Sequence, residues 1–164
     1  MLIFTDGSFT RKPKMGGMGA VLITDNNKCH EFGAYSNKCN DNNVTEIAAI
    51  AMAIHYIKQH KVDQKSKDKT ITIISDSQYA VRKIRQNCEG KDEFEDKCLS
   101  YIRNFLEETN KKVSFLQIKG HVHDNTKFAY YNNVADDVAR EYRLKGLERQ
   151  QKRFQFKQSK DNSR

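Results

Sequence analysis

Two acids stand where a buried strand is expected. Asp6 follows the apolar run Met1-Leu2-Ile3-Phe4-Thr5 and precedes Gly7, and Asp76 closes the β-branched run Thr70-Ile71-Thr72-Ile73-Ile74-Ser75. A carboxylate among core residues costs several kcal/mol unless a cation or a metal offsets it. Each therefore needs a buried Lys or Arg, or a chemical role. Glu46 borders an apolar stripe near the start of a long helical segment, and Asp136 lies beside Asp137 near the start of another. Taken singly, these two have a plain explanation, because the helix macrodipole favours acids in a first turn. Taken together, three or four carboxylates with few bases between them repel one another unless divalent cations neutralise them. An all-oxygen donor set selects Mg²⁺ or Mn²⁺ over softer-site metals. Two such ions, about 3.5–4 Å apart, form the recurring device for cutting phosphodiesters.

Charge agrees with that chemistry without requiring it. The 164 residues carry 29 Lys and Arg against 21 Asp and Glu, a net charge of +8. A polyanionic partner fits this excess, although a generally Lys-rich proteome produces the same balance. Carboxylates and a basic surface together point to a nuclease. The four cysteines include no pair two residues apart and no histidine at zinc-finger spacing, so they read as reduced, structural thiols. No run approaches the roughly 20 apolar residues of a membrane span. The opening residues lack a basic segment followed by an apolar run and a cleavage site. The expectation is a cytoplasmic protein with no membrane partner, and a monomer.

The length supports one core, and the patterns suggest the order βββαβααβα. Residues 1–9 and 20–23 read as strands joined by a glycine-containing turn through Gly16, Gly17 and Gly19. Cys29 to Tyr35 has the length of a third strand. From Val44 to His60 the apolar residues Ile47, Ile50, Ala51, Ile54 and Ile57 recur at helical spacing. A fourth strand covers Thr70 to Ser75, helices cover Tyr79–Gln86 and Asp92–Thr109, and Val113–Ile118 is the fifth strand. Asn132 is a candidate cap for a last helix ending near Gly146. Residues 1–147 thus form the domain, and residues 148–164, with six basic and two acidic residues, read as a flexible tail.

At this point four motifs resemble the type 1 ribonuclease H family: Thr5-Asp6-Gly7-Ser8, Asn42-Asn43-Val44-Thr45-Glu46, Ser75-Asp76-Ser77-Gln78-Tyr79 and Asn132-Asn133-Val134-Ala135-Asp136-Asp137. Their order along the chain is what makes the resemblance specific. It implies an α/β, ribonuclease H-like fold with a five-stranded mixed sheet in the order 3-2-1-4-5 and helices on both faces. It also implies endonucleolytic hydrolysis of the RNA strand of an RNA/DNA hybrid, leaving 5′-phosphate and 3′-hydroxyl ends. By motif position, Asp6 bridges two Mg²⁺ ions (or Mn²⁺), Glu46 and Asp76 complete one site, and Asp136 helps hold the other. Asp137 is one residue out of register. His121, with His123 as its rival, matches the loop histidine that assists proton transfer or product departure. Gly7, Ser8, Asn42, Asn43 and Gln78 match positions that contact the hybrid.

Two departures qualify the resemblance. Asp41 stands where the family has Thr, and an acid there opposes a phosphate contact. Some bacterial members carry a basic, Trp-rich handle, whereas residues 88–100 hold five acids and two lysines and the chain has no Trp. The tail from Arg149 to Arg164, with Phe154 and Phe156, is a candidate substitute for that grip. Competing readings are a catalytically inactive hybrid-binding module, a related transposase, integrase or resolvase, and a domain from a reverse transcriptase.

Overall fold

The computed structural model describes residues 1–119 and 126–161. The strands are β1 (Leu2–Arg11), β2 (Lys14–Ile23), β3 (Cys29–Ser36), β4 (Thr70–Ser75) and β5 (Lys112–Gln117). The helices are α1 (Asn42–His60), a short α2 (Val62–Lys65), α3 (Gln78–Arg85), α4 (Glu93–Glu108) and α5 (Lys127–Asp161). The strands form one sheet in the order β3-β2-β1-β4-β5. β1 is antiparallel to β2 and parallel to β4, so the sheet is mixed as expected.

Alternation along β1 divides the core in two. Ile3 points to one face, where Leu22, Ile73, the apolar stripe of α1 and Leu99, Ile102 and Phe105 of α4 enclose it. Phe4 points to the other face and packs with Val21, Ile74 and Ala135 of α5. Both phenomena follow from strands buried on two sides, which is why β1 and β4 read as nearly continuous apolar runs.

The first turn differs from its sequence reading. Gly16, Gly17 and Gly19 lie inside β2, and the turn falls at residues 12 and 13. These glycines serve close approach. A Cβ at Gly17 would stand 2.1 Å from Ala139 O, and one at Gly19 would stand 2.1 Å from Ala135 O. The backbone of α5 therefore lies directly against β2, at a separation that any side chain would prevent.

The last helix departs at both ends. Its cap is Thr126, whose Oγ1 accepts from the Ala129 N–H at 3.2 Å, and Asn132 is a buried residue inside the helix. Gly146 does not stop it either. A Cβ there would meet Met15 Sδ at 2.6 Å and the Tyr35 ring at 2.9 Å, so this glycine too is a packing contact. The helix runs on to Asp161 through the segment expected to be a flexible tail.

Candidate active site

The β1–β4 register brings the first two acids together. Phe4 pairs with Ile74, so Asp6 and Asp76 each lie two residues beyond a paired position on adjacent parallel strands. Glu46 arrives from α1. It is the fifth residue of that helix, beyond the first turn, and the macrodipole does not account for its burial. Gly7 allows α1 to come close enough, since a Cβ there would stand 2.7 Å from Glu46 N. Carboxylate oxygens of Asp6, Glu46 and Asp76 all lie within 4.8 Å of one another.

Asp136 meets this triplet from α5. It lines the same cleft of about 440 Å³ together with Asp6, Gly7, Asn42, Asn43, Glu46, Asp76, Gln78 and Tyr79. Arg140, one turn later, pairs with Asp136 at 2.7 Å. Asp137 faces outward and is exposed, as its register suggests. Ser8 is buried on β1 but does not line the cleft. His121 and His123 lie outside the described residues.

Electrostatics make the cluster costly as it stands. Asp6 is 6% exposed and Glu46 5%. Burial, followed by repulsion from Asp76 and Asp136 and a hydrogen bond with Asp136, pushes the Asp6 carboxyl up to about 8 from its ordinary 3.8. Burial and then the charges of Asp6 and Asp76 push Glu46 well above its ordinary range. Asn42 Nδ2 donates to Glu46 Oε1 at 3.3 Å, whereas Glu46 Oε2 receives no hydrogen bond from a described residue. Hard oxygen donors, mutual repulsion and an unpartnered buried oxygen all fit a divalent cation held by Asp6, Glu46 and Asp76.

A pH dependence follows. Between about 4 and about 8 the folded protein retains a proton at Asp6 that the unfolded chain has released. Metal-free stability therefore falls as pH rises through that window and levels off above it. Thermal melts in chelator across this range are expected to show a declining Tm, and a Tm that rises steadily to pH 8 would contradict the electrostatic account. Added Mg²⁺ competes with the proton and is expected to stabilise most at the alkaline end.

Several roles around the cleft escaped the sequence reading. Asp41 caps α1, accepting from the Val44 N–H at 3.0 Å, and pairs with Lys91. Its charge is thereby engaged at the helix end and by a lysine. Tyr79, in the cleft wall, donates from its hydroxyl to Glu95 at 2.8 Å, and the Lys91 N–H donates to the other Glu95 oxygen at 2.8 Å. Glu95 is fully buried and fixes Tyr79 from behind. An acid within the acidic run Asp92–Asp96 carries no local signal of burial, while the cap at Asp41 was legible from its residue type and position.

A mixed 3-2-1-4-5 sheet with acids converging at the ends of its central strands and on two flanking helices defines a ribonuclease H-like protein. The sequence profile of RNase H matches residues 1–143. The chain belongs to the RNase H family of enzymes. It is 29% identical over 150 residues to a ribonuclease H of Caldicellulosiruptor saccharolyticus, covering 85% of this chain and 93% of that one. The fold resembles that of LC11-RNase H1, obtained from compost by a metagenomic approach and solved in complex with an RNA/DNA hybrid. That likeness has a TM-score of 0.69 at 23% identity and covers 89% of this chain and 98% of the other. RNase H1 of the halophilic archaeon Halobacterium salinarum gives 0.64 at 18%, with 86% and 95% covered. No helix among the described residues is long and apolar enough to cross a membrane.

Proposed function

We propose that this protein is an endonuclease that hydrolyses the RNA strand of RNA/DNA hybrids by two-metal-ion catalysis, leaving 5′-phosphate and 3′-hydroxyl ends. The observation that carries this reading is the approach of Asp6, Glu46 and Asp76 oxygens within 4.8 Å, with two of the three carboxylates buried. Such a cluster is unfavourable without cations. Mg²⁺, or Mn²⁺ in its place, would supply an activated water and stabilise the leaving oxygen.

The protein's own groups orient the ligands. Asp6, which interacts with both Asp76 and Asp136, would hold metal together with Glu46 and Asp76, and Asp136 would contribute from the other side. Asn42 holds one Glu46 oxygen, leaving the other for a cation. Arg140 pairs with Asp136 at 2.7 Å and keeps its side chain directed. Asn43 and Gln78, exposed at the rim, read the minor groove, where ribose 2′-hydroxyls separate RNA from DNA. The backbone of Gly7 and Ser8 follows the scissile strand, and His121 assists proton transfer or product departure.

Matched RNA/DNA hybrid, duplex RNA and duplex DNA, each labelled on one strand, test the reading. Only the RNA strand of the hybrid is expected to be cut, and kinase labelling of its products should require prior removal of a 5′-phosphate. Cutting of duplex DNA, or products with 2′,3′-cyclic phosphate ends, would overturn it.

A further inference from the structure

The helix that carries Asp136 continues well past the domain core. From Glu148 to Lys160 every residue of α5 is exposed. No burial stabilises this stretch, which is held as a continuation of a packed helix whose nucleation is already complete. At 3.6 residues per turn, Arg149, Lys152, Arg153, Phe156, Lys157 and Lys160 fall within one arc of roughly 140°. Glu148, Gln150, Gln151, Gln155, Gln158 and Ser159 occupy the remainder with Phe154. The stretch is thus cationic on one side, with a single acid, Glu148, and otherwise neutral residues on the other. Phe154 and Phe156, each 62% exposed, lie on opposite sides, so there is no apolar face of the kind that inserts into a membrane or forms a coiled-coil seam.

The cationic side joins a polar track to the catalytic cleft. Arg149 donates to the Tyr35 hydroxyl at 2.9 Å, and Arg149 and Arg153 line a cleft with Met15, Tyr35 and Asn37. Asn37 also lines the neighbouring cleft that holds Lys14, Lys38 and Asn40. There Lys14 Nζ donates to Asn40 Oδ1 at 2.6 Å. Asp92 and Glu93 line it as well, but Asp92 accepts from Asn40 and caps α4, and Glu93 pairs with Lys97. Two residues beyond Asn40, Asn42 and Asn43 open the catalytic cleft.

We propose that this cationic face of α5 is a second binding site for the phosphodiester backbone of the RNA/DNA hybrid, engaged at a distance from the cleft. The proposal rests on the functional reading above. Along the helix axis, Asp136 and Arg153 are about 26 Å apart at 1.5 Å per residue. This corresponds to about 8 base pairs at 3.4 Å each, so only a hybrid longer than the cleft itself reaches the face. With the acidic α4 region unable to grip a polyanion, this face supplies affinity from the other end of the domain.

The test compares two triple variants with equal charge change, made in the full chain. Lys152→Gln/Arg153→Gln/Lys157→Gln removes the stripe, and Gln151→Glu/Gln155→Glu/Gln158→Glu places acids on the opposite side. Helix content by circular dichroism shows whether α5 persists. For a hybrid of about 20 base pairs, the first triple is expected to raise KM at least about tenfold and to reduce the salt slope of log(1/KM) by about 2–3, near 0.9 per lost phosphate contact. For a hybrid of about 6 base pairs, which spans only about 20 Å, the KM change should be less than about twofold. The second triple should change both quantities far less than the first. Equal effects from the two triples, equal effects on both hybrids, or an unchanged KM and slope would overturn the proposal. Absence of hybrid cleavage by the wild type would instead defeat the functional reading itself.

Discussion

Asp6→Asn is expected to lower RNA-strand cleavage at least about 10³-fold while raising the Tm of the metal-free protein at pH 8. The two effects have one cause. Asp6 interacts electrostatically with both neighbouring acids, Asp76 and Asp136, and on the proposed reading it would help hold the catalytic metal. Losing it removes several kcal/mol of transition-state charge stabilisation, at about 1.4 kcal/mol per tenfold. In the absence of metal, the same substitution removes a buried charge that the fold disfavours, and the asparagine conserves shape. A stabilisation in chelator at pH 8 follows from the upward direction of the Asp6 shift, because the charged form is the one that the fold disfavours. Near pH 4, where the carboxyl is protonated anyway, the variant and wild type should converge. A variant that cleaves at wild-type rate, or that melts below wild type at pH 8 without metal, would contradict this assignment.

Gly19→Val carries the largest expected effect on stability. The valine Cβ would stand 2.1 Å from Ala135 O and 2.5 Å from Ala139 N, and both are backbone atoms of a helix that cannot move aside like a flexible side chain. Overpacking against backbone on this scale costs roughly 3–5 kcal/mol, a fall in Tm of roughly 10 °C for a chain of this size. The site should suffer too. Ala135 precedes Asp136, so any displacement of α5 that relieves the clash withdraws Asp136 from Asp6. Cleavage measured well below the melting temperature should therefore drop along with stability. A Tm within about 2 °C of wild type would show that α5 and β2 are not packed as described.

Much of this arrangement was legible in the residues themselves. Asp6 and Asp76 announced themselves because an acid at the end of a β-branched or apolar run has no inexpensive structural explanation. The stripe from Ile47 to Ile57 marked α1 by its helical spacing, although burial extends over every position from Val44 to Ala51. Where the reading missed, the same residue type had two physical uses. Glycine relieves a turn, and it also permits close packing. Gly17 and Gly19 let the α5 backbone approach, while Gly16 and Gly146 make room for side chains of Cys39, Met15 and Tyr35, and reading them as punctuation misplaced the first turn and ended α5 too soon. Asparagine is a good cap, so residue type alone pointed to Asn132, but it is buried inside the helix and Thr126 accepts the capping hydrogen bond instead. The buried Glu95, which positions Tyr79, was hidden among exposed acids, because tertiary burial of a single acid leaves no periodic trace.

The most direct test of the account is the dependence of RNA-strand cleavage on divalent metal, measured with wild type and Glu46→Gln side by side. The wild type in chelator should cut nothing, and its rate should rise with Mg²⁺ to a plateau. Glu46→Gln should require a far higher Mg²⁺ concentration and reach a plateau lower by at least about 10²-fold, because a neutral amide is a poor ligand for a hard cation. Cleavage that persists in chelator, or a Mg²⁺ profile that Glu46→Gln leaves unchanged, would show that the acidic cluster does not hold the metal on which cutting depends.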